Sequence, residues 1–128
     1  MFMLIAKSAY EGFQADASGE YKPPTFDEDG GFIHLTGDED LLLPVANNFL
    51  RGIPEPVMCL VIDQALATSP VVWEGPASVG TTESPEALED NLFPHMYGPL
   101  NISAVVDSWL CDRAEDGQFL SCSKPQSQ

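Results

Sequence analysis

The sequence predicts a single α+β domain, with short strands and two helices around one hydrophobic core. Its 128 residues are enough to bury one core but too few for two independent ones. Hydrophobic residues make up 44% of the chain, which separates it from disordered sequences despite its acidity. Apolar residues recur both at helical spacing and in short continuous runs, so both helices and strands are expected.

The chain opens with a predicted strand and helix. Residues 1–7 form an apolar run that is typical of a buried strand. Ser8 is a candidate N-cap for a helix over residues 8–17, in which Tyr10 and Phe13 share the buried face.

A second strand and a second helix follow. The acidic, Gly-rich turn at residues 27–31 leads into a strand over residues 32–35 that carries His34. Thr36 or Asp38 can then cap a helix. Its apolar stripe consists of Leu42, Val45, Ala46, Phe49 and Leu50.

The second half of the chain contains further strands and one long loop. Residues 57–62 are the clearest buried strand and are expected at the centre of the sheet. Residues 76–91, rich in Gly, Ser, Thr and Glu, predict a mobile acidic loop. Residues 123–128 predict a disordered tail, so the domain covers residues 1–122. Shorter strands are expected at residues 71–74, at residues 93–97, and at residues 102–106 and 108–110, which could pair with each other.

Charge excludes two classes of partner. Twenty acidic residues against five Lys and Arg give a net charge of −15, which repels nucleic acid and anionic membrane surfaces. No apolar run approaches the roughly 20 residues that a membrane-spanning helix needs, and the first residues lack the pattern of a signal peptide. We therefore expect a soluble, cytoplasmic protein that binds neither nucleic acid nor membranes.

The three cysteines predict neither a disulfide framework nor a zinc site, because no Cys-x-x-Cys spacing occurs. Cys59 lies in an apolar run and is expected in the core. Cys122 lies beside the polar tail and is expected to be an exposed thiol.

Both histidines lie in apolar and aromatic motifs, and these motifs are the strongest sign of a functional site. His34 belongs to GFIHLT, and His95 belongs to FPHMYGPL, where a cis peptide could precede the proline. Imidazole is suited to acid–base chemistry near neutral pH. If the strands pair, Glu74 of the upstream Trp73-Glu74 can reach His95 or Tyr97. Alternatively, all of these residues are structural, with the imidazoles hydrogen-bonded inside the core.

A metal site is not predicted. His34, Glu74 and His95 could form a set of two histidines and one carboxylate only if they converge. No two of them have the helical or turn spacing of a ligand pair.

Several short sequence blocks, taken in order along the chain, resemble the DUF952 family, whose name carries no established activity. The resemblance covers most of residues 1–106. It is carried by GGFIHLT, by a helix with ANNF, by a strand ending in VID, by VVWEG and by FPHMYGPL. Within it, the positions that match the family's motifs are His34, Thr36, Glu74, His95 and Tyr97.

The family in turn resembles the ADP-ribosyltransferase superfamily, which includes RNA 2′-phosphotransferases. This resemblance implies a split, bent, mainly antiparallel sheet around a nucleotide-sized cleft. It also implies NAD or an ADP-ribose-like compound as the ligand and, if the protein is an enzyme, glycosyl- or phosphotransferase-like chemistry. Many members have His or Lys where this chain has Leu4, and the phosphotransferases use an arginine cluster where it has only Arg51 and Arg113. Backbone amides are then the main donors left for an anion.

Two functions from different classes follow. The first is a cleft that binds or processes an ADP-ribose-like or nucleotide ligand. The second is a non-catalytic protein-interaction module with structural histidines, whose acidic loop at residues 80–90 binds a basic partner. Convergence of the histidines on an open cleft would favour the first. Its predicted residues are His34, Glu74 and His95 for catalysis and Thr36, Trp73 and Tyr97 for ligand binding.

Overall fold

A computed structural model describes residues 1–76 and 88–125 of the chain. Within these ranges, two α-helices, α1 (Lys7–Ala15) and α2 (Leu42–Phe49), pack against antiparallel sheets, so the predicted α+β class is confirmed. The predicted acidic loop falls largely on residues 77–87 and the end of the predicted tail on residues 126–128, outside the described residues. None of the described helices has the length and apolar character to span a membrane.

The first sheet is built around a largely buried strand. β4 (Val57–Ile62) lies between β1 (Phe2–Ala6) and β8 (Val105–Leu110) and is antiparallel to both. Its side chains alternate between the two faces of the sheet. Leu60 and Ile62 belong to one core cluster and Cys59 to the other. Because both faces are covered, the strand is almost wholly apolar, and its predicted central position is confirmed.

Residues 102–110 form one continuous unit. A short 3-10 turn (Ile102–Ala104) leads directly into β8, which pairs with β4. The expected pairing of residues 102–106 with residues 108–110 is therefore wrong. Only one residue separates the two segments, whereas even a tight hairpin needs about two loop residues.

The second sheet carries both histidines. β6 (Phe93–Met96) lies between β3 (Ile33–His34) and β5 (Val71–Glu74), again antiparallel to both. A bridge joins this region to the first sheet: the Phe2 and Thr36 amides donate to each other's carbonyl oxygens at 2.7 and 2.9 Å. The cis peptide considered before Pro94 does not occur, since the described peptide bonds are all trans.

Two small sheets complete the described strands. β2 (Glu20–Tyr21) pairs with β7 (Leu100–Asn101), and β9 (Asp112–Arg113) pairs with β10 (Phe119–Ser121). The Arg113 side chain donates to the carbonyl oxygens of Ile53 and Glu55, both at 2.8 Å. It thereby fixes the C-terminal hairpin, β9 and β10, to the loop before β4.

Helix α1 begins without a cap from its own sequence. The N-cap position is Ala6, and the backbone amide of Ser8 donates to the Glu55 carboxylate at 3.0 Å. The predicted Ser8 cap is therefore wrong, because a carboxylate from a distant segment takes the role of the hydroxyl. Tyr10 and Phe13 are buried as predicted.

Helix α2 is preceded by a short 3-10 turn (Glu39–Leu41). The Asp38 carboxylate accepts from the Asp40 amide at 2.9 Å, so Asp38 caps this turn. Helix α2 itself begins after Leu41 without a side-chain cap, so the predicted cap acts one turn earlier than expected. The Asn47 side chain links α2 to the C-terminal hairpin by donating to the Phe119 carbonyl at 3.1 Å and accepting from the Phe119 amide at 2.8 Å.

In the part of the chain that the structure describes, the core comprises two clusters. One packs α1 against both three-stranded sheets, and the other packs α2 against the first sheet and the C-terminal hairpin. Cys122, expected at the surface, lies in the second cluster and is only 2% exposed. The prediction of an exposed thiol is wrong because the Trp109 indole donates to the Cys122 carbonyl at 2.9 Å and holds this segment against the sheet.

Candidate functional site

The pairing of β3 with β6 places the two histidines side by side. His34 and His95 are directly opposite each other, so their side chains project from the same face of the sheet. Their ring centroids are 5.6 Å apart. They are 61 positions apart in sequence, and the strand register brings them together.

Glu74 holds His95 in one orientation. Its Oε1 accepts hydrogen bonds from His95 Nδ1 at 2.9 Å and from the Tyr97 hydroxyl at 2.5 Å. The hydrogen bonds from Tyr97 and then from His95 lower the pKa of Glu74, so it is ionised at neutral pH. An ionised carboxylate only accepts, which assigns the proton of a neutral His95 to Nδ1 and leaves the lone pair on Nε2. The predicted approach of Glu74 to His95 and Tyr97 is confirmed.

His95 itself is 3% exposed. Among the described residues its imidazole has one hydrogen-bond partner, Glu74, which it contacts through Nδ1, so Nε2 has no partner there. In its neutral form such a buried, oriented imidazole has the arrangement that general-base chemistry requires.

His34 has the opposite tautomer. Its Nε2 lies 2.9 Å from the carbonyl oxygen of Asp29. Because a carbonyl only accepts, Nε2 carries the proton and Nδ1 has the lone pair. Burial lowers the pKa of His34, which the bond to the Asp29 carbonyl partly opposes, so this imidazole is neutral at physiological pH.

Phe32 is a site residue that sequence reasoning missed. Its ring stacks on His95 with centroids 4.2 Å apart and also contacts the rings of His34 at 4.5 Å and Tyr97 at 5.2 Å. Phe32 lies two residues before His34, and the two-residue period of a strand would have placed it on the same face. The ring restricts the motion of both imidazoles.

A cavity of about 350 Å³ lies beside the histidines. His34, Thr36 and His95 of the predicted residues line it, whereas Glu74 and Tyr97 support His95 from outside the lining. Its volume is at the lower end of the range of about 300–1,000 Å³ for small-molecule sites. The apolar part of its wall includes Met3, Ile5, Phe49, Leu50, Leu88 and Phe93.

Trp73 is not brought to the cavity. It precedes Glu74 in β5 and therefore projects from the opposite face of the strand. Its indole Nε1 donates to Gln64 Oε1 at 3.3 Å, and its six-membered ring lies against Gly37. A stacking role for Trp73 on a ligand in this cavity is not supported by its position.

Thr36 is buried, with 4% of its surface exposed. Its backbone forms the bridge to Phe2, and the residue lines the cavity two positions after His34. Thr36 therefore belongs to the same part of the cavity wall as His34.

No group of three or more His, Cys, Asp or Glu in residues 1–76 and 88–125 is placed to share a metal ion. The chemistry that the described side chains can supply is proton transfer by an oriented imidazole. An imidazolium formed at His95 would be stabilised by the carboxylate of Glu74.

The geometry defines an α+β domain in which a carboxylate–imidazole pair lies beside an apolar cavity. The family model described as "Protein of unknown function (DUF952)" matches residues 7–108, and the chain belongs to this family. The resemblance predicted from the histidine motifs is thus confirmed. None of the curated proteins matches the chain.

Solved structures of protein CC0527 from Caulobacter crescentus have the same fold. One crystal structure is 22% identical, with a TM-score of 0.68, and the match covers 92% of this chain and 90% of that one. The solution NMR structure is 24% identical, with a TM-score of 0.61 and coverage of 91% and 87%. At these identities the likeness shows the fold alone. The further resemblance to ADP-ribosyltransferases stays a prediction.

Proposed function

We propose that this domain binds a nucleotide or ADP-ribose-like ligand in the cavity and that the Glu74–His95 pair transfers a proton to or from it. The observation that carries the proposal is the orientation of His95: Glu74 accepts from Nδ1, so the unprotonated Nε2 belongs to a residue that lines the cavity. Neither the volume nor the apolar wall alone would favour catalysis over simple binding.

The other residues have supporting roles in this proposal. Tyr97 fixes the Glu74 carboxylate, and Phe32 packs over both imidazoles. His34 and Thr36 supply the polar groups that would position hydroxyls of a ribose. Trp73 has no role in it, because its indole lies on the other face of β5.

The proton transfer would use His95 first as a base. Nε2 would accept the proton of a ligand hydroxyl or of a water molecule as that oxygen bonds to the glycosidic carbon or the phosphorus of the ligand. The bond from that atom to the leaving group would break, and the imidazolium would give the proton to the leaving group. Glu74 would remain ionised throughout and stabilise the imidazolium. Such a step would serve both glycosyl- and phosphotransferase-like reactions.

Long-range ¹H–¹⁵N NMR tests the central observation, because the chain has only two histidines and they are expected in opposite tautomers. His95 should carry its proton on Nδ1, and Glu74→Gln should weaken this preference. His34→Gln leaves a single imidazole and assigns the spectra. Glu11→Gln, at an exposed carboxylate of α1 that does not line the cavity, is the matched control. A His95 protonated on Nε2 in the unmodified protein would refute the proposed base.

Ligand binding is tested by thermal shift with nucleosides, mononucleotides, ADP-ribose and NAD. A ligand at about a hundredfold its dissociation constant stabilises the folded state by about 2.7 kcal/mol. For a domain of this size that raises Tm by about 10 °C. His34→Gln should reduce the shift and Glu11→Gln should leave it unchanged. If none of these compounds raises Tm, the proposed ligand class is wrong.

A further inference from the structure

No Lys or Arg side chain belongs to the cavity wall. The chain has five Lys and Arg residues, all within the described ranges, and none of them lines it. Arg113 donates to backbone carbonyls, Lys124 pairs with Asp107 at 2.7 Å, and the Lys22 ammonium lies over the Phe26 ring. Lys7 and Arg51 are exposed. The cavity therefore offers a phosphate no cationic side chain.

The helix starts do not replace the missing cations. At α1, the amide of Ser8 already donates to Glu55, and before α2 the amide of Asp40 donates to Asp38. In both places a carboxylate of the chain provides negative charge where an anion would otherwise be stabilised by the helix. A phosphate would be repelled there rather than attracted.

The polar side chains that line the cavity are hydroxyls and imidazoles, with one exception. They comprise three hydroxyls and two imidazoles, of Tyr21, Thr25, Thr36, His34 and His95. The exception is Asp29, whose charge is negative. Hydroxyls and neutral imidazoles form hydrogen bonds with ligand hydroxyls and ring nitrogens, and they do not compensate the charge of an anion in an apolar setting.

From this distribution we infer that the compound bound in the cavity is uncharged: within the proposed ligand class, a nucleoside or the nucleoside end of a larger compound, with any phosphate left outside. The inference rests on the proposed function, because it selects among the ligands of that site. It reverses the affinity order of most nucleotide sites, in which phosphates supply much of the binding energy.

Isothermal titration calorimetry of each common nucleoside and its own 5′-monophosphate tests the inference. At about pH 7.5 the monophosphate carries nearly two negative charges. We expect the nucleoside to bind about tenfold more tightly or better. Added salt should narrow this ratio, since it screens the repulsion.

Two substitutions locate the repulsion. Asp29→Asn removes the negative charge from the lining and should improve binding of the monophosphate relative to the nucleoside. Asp27→Asn removes the same charge from an exposed neighbour outside the lining and should change the ratio much less.

A monophosphate that binds as tightly as its nucleoside, or more tightly, would overturn the inference and leave the proposed function standing. Equal effects of the two aspartate substitutions would also contradict it. If neither nucleosides nor monophosphates bind, the proposed function itself fails and the inference fails with it.

Discussion

Replacing Asn47 by Ala should destabilise the protein by about 2 kcal/mol. The Asn47 amide makes two hydrogen bonds with the backbone of Phe119, of 3.1 and 2.8 Å, and so acts as a strand partner for β10. A buried backbone group that loses its partner costs about 1–3 kcal/mol. Asn47 is half-buried, so water can reach part of the space that its side chain would leave. The cost for each of the two Phe119 backbone groups is therefore at the low end of this range. For a chain of this length, about 2 kcal/mol lowers Tm by about 7 °C.

Urea unfolding followed by circular dichroism measures this loss of unfolding free energy. An unchanged m-value would show that the folded and unfolded states are as compact in the variant as in the unmodified protein. Asn91→Ala is the matched control, because its side chain makes one long bond, of 3.5 Å, to the nearby Leu88 carbonyl. The Asn91 variant should stay within about 0.5 kcal/mol of the unmodified protein. If Asn47→Ala changed the free energy of unfolding by as little as Asn91→Ala, the link between α2 and the C-terminal hairpin would not contribute to stability as argued.

Three further results are expected. Gly37→Ala should displace the Trp73 indole, since a Cβ at position 37 would lie 2.3 Å from the ring. The tryptophan fluorescence spectrum should shift to the red, and an unshifted spectrum would contradict this. Burial lowers the pKa of His34 from 6.5, so the unfolded chain takes up the proton at a higher pH than the folded protein. The free energy of unfolding should therefore fall as pH drops below about 6.5. His34→Gln should make this pH dependence weaker, and an unchanged pH dependence would contradict the lowered pKa of His34. Ellman's reagent should react slowly with the three free thiols until guanidinium is added. Burial raises the pKa of Cys59 to about 12, the hydrogen bond with Cys122 and burial raise the pKa of Cys111, and Cys122 is itself buried. Fast reaction of Cys122 in the native protein would count against the second core cluster.

The sequence predicted correctly those helices and strands whose own hydrophobic pattern indicates that they are buried. Residues 57–62 form an uninterrupted apolar run, which is why their central position could be inferred. Helix α1 could be predicted from the spacing of Tyr10 and Phe13, but its first turn could not, because Glu55 comes from a segment 47 residues away.

In the candidate site too, some features follow from local sequence and others depend on distant segments. The residue types around His34 and His95 predicted that the site would contain acid–base groups. The direct pairing of the two histidines depends on the register of β3 against β6, which no local pattern specifies. Cys122 was misjudged for a similar reason: its neighbours in sequence are polar, whereas its neighbours in space include Trp109 and Cys59.

The C-terminal hairpin lies beyond residues 7–108, which match the family, yet it packs against α2 in the second core cluster. Phe119 and Cys122 complete the packing around Leu42 and Ala46 of α2. A fragment cut after residue 108 would expose that face to water, and the helix that carries Phe49 and Leu50 into the cavity wall would lose its support. The shortest piece of this protein suited to recombinant work is therefore longer than the family boundary suggests.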